Sequence, residues 1–313
     1  LADPWIVLAA AALEVAAIGW PALWRGPPGH PVALLAAAIN GLDAAWNLPG
    51  WSDRRRRALG IVTVVLVAGG AGLGGWFAQR HLQASLAGAA LMAVLGAFGL
   101  AARSLYEHVA DVSETLAGGD LRAARIAVGR IVGRDVDALD EGEIAAAALE
   151  SLAESFNDGV TAPLFWFLVG GLGGLFAYKA VNTADSLVGH IEPPWKAFGW
   201  AAARTDDLMN LIPARIAGAL IALVAGGGWR VMLRDAGKHA SPNAGWPEAA
   251  MAGALGVRLG GPAAYGGVDH ARPILGDGPR PRTVDLRQGL TLYRRACAAL
   301  VLAMAAAGLA WPR

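Results

Sequence analysis

One cysteine and three lysines in 313 residues are the first scarcities of this chain. The lone Cys297 excludes an internal disulfide and any cysteine-built zinc site, and its place in the last apolar stretch suits simple packing. Charged residues make up 16% of the chain, against roughly 25% in soluble domains. Lys and Arg total 26 and Asp and Glu 25, a formal charge of +1. That balance excludes a polybasic nucleic-acid binder and a disordered acidic tail, so no nucleic-acid partner is expected. The six histidines, at 30, 81, 108, 190, 239 and 270, show no paired metal-ligand spacing. No phosphate loop is present, because Gly170 to Gly174 is not followed by Lys-Ser or Lys-Thr. Gly226 to Gly228 follows no evident strand, and a triad of Ser186, His239 and Asp185 finds no support in the spacing.

What the chain has instead is apolar length. Hydrophobic residues reach 55%, and charge is absent from Ala58 to Gln79, Leu82 to Ala102, Gly159 to Tyr178 and Ala296 to Pro312. Each gap is about 20 residues, enough to cross a hydrocarbon core of roughly 30 Å. Trp5 to Trp24 is interrupted only by Glu14 and has interfacial tryptophans at both ends. With no basic leading region and no cleavage site, it reads as a span rather than a removed signal. Arg54 to Arg57 precede the second span and only Arg80 follows it, so the four-arginine side is expected in the cytoplasm and the N-terminus outside.

The expected architecture is all-α: a polytopic integral membrane protein, one domain over 1–313, with about four full spans plus glycine-broken partial or re-entrant insertions and cytoplasmic helices. Residues 103–158 read as a cytoplasmic helical segment, with Asp120 capping one helix and Asp140 and Glu143 forming a capping box for the next. Glu150, Glu154 and Asp158 follow at steps of four and are expected on one helix face. Residues 159–229 read as broken apolar segments with polar loops. Four glycines in Gly170 to Gly174 allow either a re-entrant hairpin or a straight, closely packed span. Ile216 to Trp229 has only about 14 charge-free residues, short for a span. Residues 230–295 read as a cytoplasmic loop and 296–313 as the C-terminal span.

Polar residues collect in three blocks. The first is Glu150 to Asp158. The second runs from Tyr178 through Lys179, Asn182 and Asp185 to Arg204, Asp206, Asp207, Asn210 and Arg215. The third holds Asp235, Lys238, His239, Asn243 and Glu248. Carboxylates suit a hard cation such as magnesium, and Lys, Arg and backbone amides suit phosphate. The residues alone point to a cytoplasm-facing polar site for a phosphorylated or anionic ligand. A secondary transporter and a membrane scaffold remain open at this stage.

The runs ESLAESFNDG at 150–159, YKAVNTADS at 178–186 and SPNAGWPEAAMAGALG at 241–256 resemble the adenosylcobinamide-phosphate synthase family. Gly133-Arg134-Asp135, Arg204-Thr205-Asp206-Asp207, Tyr265-Gly266-Gly267 and His30-Pro31-Val32 extend the resemblance over almost the whole chain. It implies an ATP-dependent amide ligase of a bacterial inner membrane, with its active site toward the cytoplasm. The substrates implied are adenosylcobyric acid and 1-amino-2-propanol phosphate, with ATP and magnesium as co-substrate and metal. The corrinoid is then a substrate rather than a fixed cofactor. The lipid bilayer and other late cobalamin-pathway enzymes are the implied partners. On this resemblance Glu150, Glu154, Asp158, Asp206 and Asp207 are candidates for magnesium. Lys179, Arg204, Arg215, Lys238 and His239 are candidates for phosphate, and Asn182, Asp185, Asn243 and Glu248 for positioning the amine or the corrinoid. Trp166, Trp195, Trp200 and Trp246 are candidates for packing on the macrocycle.

Overall fold

The computed structural model describes residues 2–16, 30–190 and 192–310. Among these, five helical stretches are long and apolar enough to cross a membrane: Asp53–Leu82, Leu86–Ala117, Glu141–Val188, Trp200–Ala225 and Thr283–Leu309. The outer face of Asp53–Leu82 carries Leu66, Leu73, Trp76 and Phe77, all exposed. A row of large apolar side chains of this kind suits lipid and not water. The protein is therefore an all-α polytopic membrane protein.

Two segments differ from the sequence expectation. Ile216 to Trp229, expected as a short insertion, is mostly the C-terminal part of the 26-residue helix Trp200–Ala225. Counting charge-free residues missed the helix because Arg204, Asp206, Asp207 and Arg215 lie within it. Positive φ angles at Gly226 (66°) and Gly228 (92°) follow its end, a backbone region that glycine enters at little cost. The C-terminal helix also begins at Thr283, well before Ala296. Of the expected span Trp5 to Trp24, the helix Pro4–Ala16 is seen, and the remainder lies outside the described residues.

The described chain divides into two compact units, residues 1–100, 162–209 and 304–313, and residues 101–161 and 210–303. In the first unit Asp53–Leu82 packs along Ala162–Val188 with little side-chain material between the backbones. A Cβ placed on Gly75 would sit 2.5 Å from the Leu172 carbonyl oxygen. Gly171 breaks Ala162–Val188 at φ 62° and ψ −156°. A Cβ on Gly174 would lie 2.5 Å from the Trp166 carbonyl oxygen, whereas residues eight apart in a continuous helix are separated by about 12 Å along the axis. The chain therefore folds back on itself at Gly171, as the hairpin alternative requires. Gln79 Oε1 accepts from Leu172 N at 2.8 Å and so caps the second half of the hairpin.

In the second unit, helices Ala102–Ala117, Leu121–Val128 and Glu141–Phe156 start and stop close to the sequence signals. Asp120 caps Leu121–Val128, and Asp140 and Glu143 form the full capping box. Helix Trp229–Asp235 and helix Gly245–Leu255 follow. Four short strands then make two antiparallel pairs, Leu259–Gly260 with Ile274–Leu275 and Ala263–Tyr265 with Val268–His270. These strands were not expected from the sequence.

Candidate functional site

The second unit gathers a buried charge cluster around helix Glu141–Phe156. Glu150 is 3% exposed. Its Oε2 accepts from Arg134 and, at 3.0 Å, from Arg272, while Oε1 accepts from Gly260 N at 2.7 Å. Charge-assisted bonds of this kind offset the cost of burying a carboxylate that would otherwise leave water unpaired. Arg134 is held in place by its neighbour. Asp135 accepts from Gly266 N at 3.1 Å and Gly267 N at 2.7 Å, and its own N donates to Ala264 O at 2.8 Å. The Gly133-Arg134-Asp135 and Tyr265-Gly266-Gly267 motifs are thus one structure, in which Asp135 docks the turn that carries Tyr265.

A second anchor sits at Asp235, which is fully buried. It pairs with Arg234 and, at 2.6 Å, with Lys238, and it accepts from Gly276 N at 2.8 Å. The Arg234 hydrogen bonds hold its carboxyl well below the ordinary carboxylate range, and Lys238 and Gly276 reinforce them against burial. The next loop turns on Ser241, whose Oγ accepts from Asn243 N and Ala244 N, both at 3.2 Å. Helix Gly245–Leu255 starts there and turns Glu248 inward to 1% exposure. Glu248 Oε1 faces His239 Nε2 at 3.7 Å. Among the described residues Oε2 has no hydrogen-bond partner.

Between these parts lies a cavity of about 300 Å³, with Arg134, Arg272, Glu154, His239, Glu248 and Tyr265 in its wall. Burial, then the charges of Glu150 and Glu154, push the Glu248 carboxyl well above its ordinary value. Burial and the Arg272 charge push the His239 imidazole down. Burial works against the Arg272 charge, but Glu150 and Glu248 outweigh it and its guanidinium stays firmly protonated. The cavity thus joins two fixed cations to a carboxyl that resists ionisation.

Of the residues singled out from sequence, Glu150, Glu154, His239 and Glu248 meet at this cavity. Asp158 does not line it, contrary to the expectation of one shared face. A wider π-helical turn, Asn157–Thr161, begins after Phe156 and shifts Asp158 out of line. There Asp158 Oδ1 accepts from Asn157 Nδ2 at 2.7 Å. Lys238 is directed to Asp235. Arg215 donates to Asn243 Oδ1 at 3.2 Å, and its guanidinium sits 4.7 Å from the centre of the Trp246 ring.

Lys179, Asn182, Asp185, Arg204, Asp206 and Asp207 belong to the first unit. There Lys179 Nζ donates to Asn182 Oδ1 at 3.3 Å and Asn182 Nδ2 to Asp206 Oδ1 at 3.4 Å, while Arg204 pairs with Asp207 at 3.0 Å. Among the described residues no three His, Cys, Asp or Glu side chains group as a metal site. Glu150 already uses both oxygens on Arg134, Arg272 and Gly260. Glu150 is thus committed to the arginine pair and the Gly260 amide.

Sequence reasoning passed over Arg134, Tyr265 and Arg272 as site residues. The first two stood in quoted motifs. Arg272 had no local signal, because it reaches Glu150 across 122 residues of chain.

Fold and site together define a polytopic membrane protein whose second unit builds a charged cavity from two helices and the segments around them. The chain belongs to the CobD/Cbib family, whose profile, described as CobD/Cbib protein, matches residues 7–293. It is 47% identical over 299 residues to the cobalamin biosynthesis protein CobD of Rhodobacter capsulatus, covering 94% of each chain. To that of a Sinorhizobium species it is 46% identical over 319 residues, covering 96% of this chain and 98% of the relative. To that of Geobacter metallireducens it is 45% identical over 285 residues, covering 88% and 89%. No solved structure matches. Family membership places the chain in cobalamin biosynthesis.

Proposed function

We propose that the chain is an ATP-dependent amide ligase that joins adenosylcobyric acid to (R)-1-amino-2-propanol O-phosphate, giving adenosylcobinamide phosphate, ADP and phosphate. One observation carries the reading. The cavity of the second unit is assembled from the runs that carry the family resemblance: 133–135, 150–159, 241–256 and 265–267. A carboxylate is a poor acyl donor, so ATP first converts it to an acyl phosphate. The amine nitrogen then attacks the acyl carbon and the phosphate leaves. Fixed cations such as Arg134 and Arg272 stabilise negative charge at phosphoryl oxygens in such chemistry. Lys179, which donates to Asn182, and Arg204, which pairs with Asp207, remain candidates for phosphate. Magnesium enters with the nucleotide as part of the substrate, and no step of the reading depends on a ligand from the chain. The active site is assigned to the cytoplasmic face of a bacterial inner membrane, the side of Arg54 to Arg57.

The test is a ligation assay on the detergent-purified chain with both substrates, ATP and magnesium, read by the mass of the corrinoid. A mass gain of one amide linkage that requires ATP and releases ADP is expected. No product from a folded, lipid-supplemented sample, with or without added cell extract, would overturn the ligase reading.

A further inference from the structure

Resting on the ligase reading, we propose that the cavity of the second unit is the subsite for the small phosphorylated amine. Its phosphate is held by Arg134 and Arg272, and its ammonium by the unpartnered Oε2 of Glu248. Volume is the first argument. A cavity of about 300 Å³ holds a short amino alcohol phosphate, at the lower end of ordinary ligand pockets. A corrinoid macrocycle exceeds it several-fold.

Charge is the second argument. Each guanidinium has five N–H donors in a planar fork, and the bonds to Glu150 take one nitrogen of Arg134 and one of Arg272. The N–H donors of Arg134 and Arg272 that Glu150 does not take suit phosphate oxygens. Glu248 sets the other end. A carboxylate oxygen at 1% exposure without a partner is costly. His239 does not relieve it, since 3.7 Å is too long for a hydrogen bond. His239 Nδ1 accepts from Ser241 N at 3.0 Å, which places the proton of the neutral ring on Nε2, toward Glu248 Oε1. Oε2 therefore remains for a ligand. A plain dianion answers the arginines alone, whereas a ligand with an ammonium group also brings a donor to Oε2.

The chemistry fits the same placement. An amine enters as ammonium and has no lone pair for attack until it loses a proton. The ammonium charge beside Oε2 opposes the burial that keeps Glu248 protonated, so Glu248 releases its proton to solvent as the ligand binds. Taking one proton back from the nitrogen then leaves a neutral amine and a neutral carboxyl, and atoms and charge balance. The raised proton affinity of Glu248 suits it to this transfer.

The experiment uses the full chain in detergent without ATP or corrinoid, so that binding is read apart from ligation. Thermal shift and calorimetric titration compare 1-amino-2-propanol phosphate with its two halves, 1-amino-2-propanol and propyl phosphate. The phosphoamine is expected to bind more tightly than either half. Arg272→Gln should raise its Kd at least about tenfold, and Glu248→Gln should remove its advantage over propyl phosphate. Ser155 also lines the cavity; Ser155→Met fills it without touching an ion pair and should abolish binding, which keeps the test valid if a charge variant fails to fold. Equal binding of phosphoamine and propyl phosphate, or binding that survives Ser155→Met, overturns the assignment. A wild-type chain that ligates while its phosphoamine binding ignores these substitutions defeats the subsite and leaves the ligase. A chain that binds as described but forms no product does the reverse.

Discussion

The two units of this chain solve opposite packing problems with the same helical material. In the first, Asp53–Leu82 and the hairpin Ala162–Val188 approach through glycine, and the outer face of Asp53–Leu82 carries large apolar side chains. Even its groove of about 400 Å³ is apolar, formed by residues such as Pro31, Leu34, Phe98 and Phe176, with Lys179 at its wall. Lipid gives no hydrophobic push between helices, so close contact has to come from shape. In the second, Glu150, Asp235 and Glu248 are each at most 3% exposed. There the energy lies in paired charge, and among the described residues one Glu248 oxygen has no hydrogen-bond partner. Glycine sets how closely Asp53–Leu82 meets the hairpin in the first unit, and buried ion pairs anchor the second. If this contrast is right, removing a buried charge should cost most in the second unit, and a methyl group added where Asp53–Leu82 meets the hairpin should cost stability in the first.

The largest effect is expected at Glu150. Glu150→Ala leaves Arg134 and Arg272 facing each other without their shared counter-charge. Removing one partner of a buried ion pair costs about 3–5 kcal/mol. Thermal unfolding in detergent should show a large loss, together with loss of phosphoamine binding. A variant that melts like the wild type would mean the cluster contributes little, and the contrast between the units would fail at its strongest point.

Asp235→Asn comes next, with a loss of about 2–3 kcal/mol. The figure is below the buried-pair range because Arg234 and Lys238 are themselves partly in water. Here the pH dependence has a definite sign. The folded-state carboxyl of Asp235 is held below its unfolded value. Its stabilisation is therefore complete above the ordinary carboxylate range and is lost only as pH falls below it toward the folded value. The wild-type chain should lose melting temperature steeply on acidification, and Asp235→Asn should flatten that slope. Parallel slopes in the two proteins would remove Asp235 from the account.

The same contrast explains what could be read in advance. Caps are local, so Asp120, Asp140 and Glu143 were legible from spacing, as were the long charge-free runs. The hairpin at Gly171 was legible only as one of two alternatives, because four glycines serve a turn and a close contact equally well. The close approach of Gly174 to Trp166 decides between them. Helix Trp200–Ala225 was hidden because the charges inside it resemble a loop when counted along the sequence. The π turn at Asn157–Thr161 leaves no periodic trace, so the carboxylate stripe looked one residue longer than it is. Arg272 was beyond reach because its partner is fixed by tertiary structure alone.

The smallest effects are the sharpest on the first unit, because they separate shape from composition within one helix. Gly70 and Gly75 both lie inside Asp53–Leu82, one turn and a little more apart, and sequence treats them alike. A Cβ on Gly75 would press against the Leu172 backbone at 2.5 Å, whereas one on Gly70 would meet nothing within 4 Å. Gly75→Ala should destabilise the chain by about 1–3 kcal/mol, since the hairpin backbone must move to admit the methyl group. Gly70→Ala should do the opposite and stabilise by about 0.5–1 kcal/mol through helix propensity alone. Opposite signs in thermal unfolding would show that glycine is kept at Gly75 for contact and merely tolerated at Gly70. Equal signs would mean that the two helices do not rely on that approach, and that packing in the first unit comes from elsewhere.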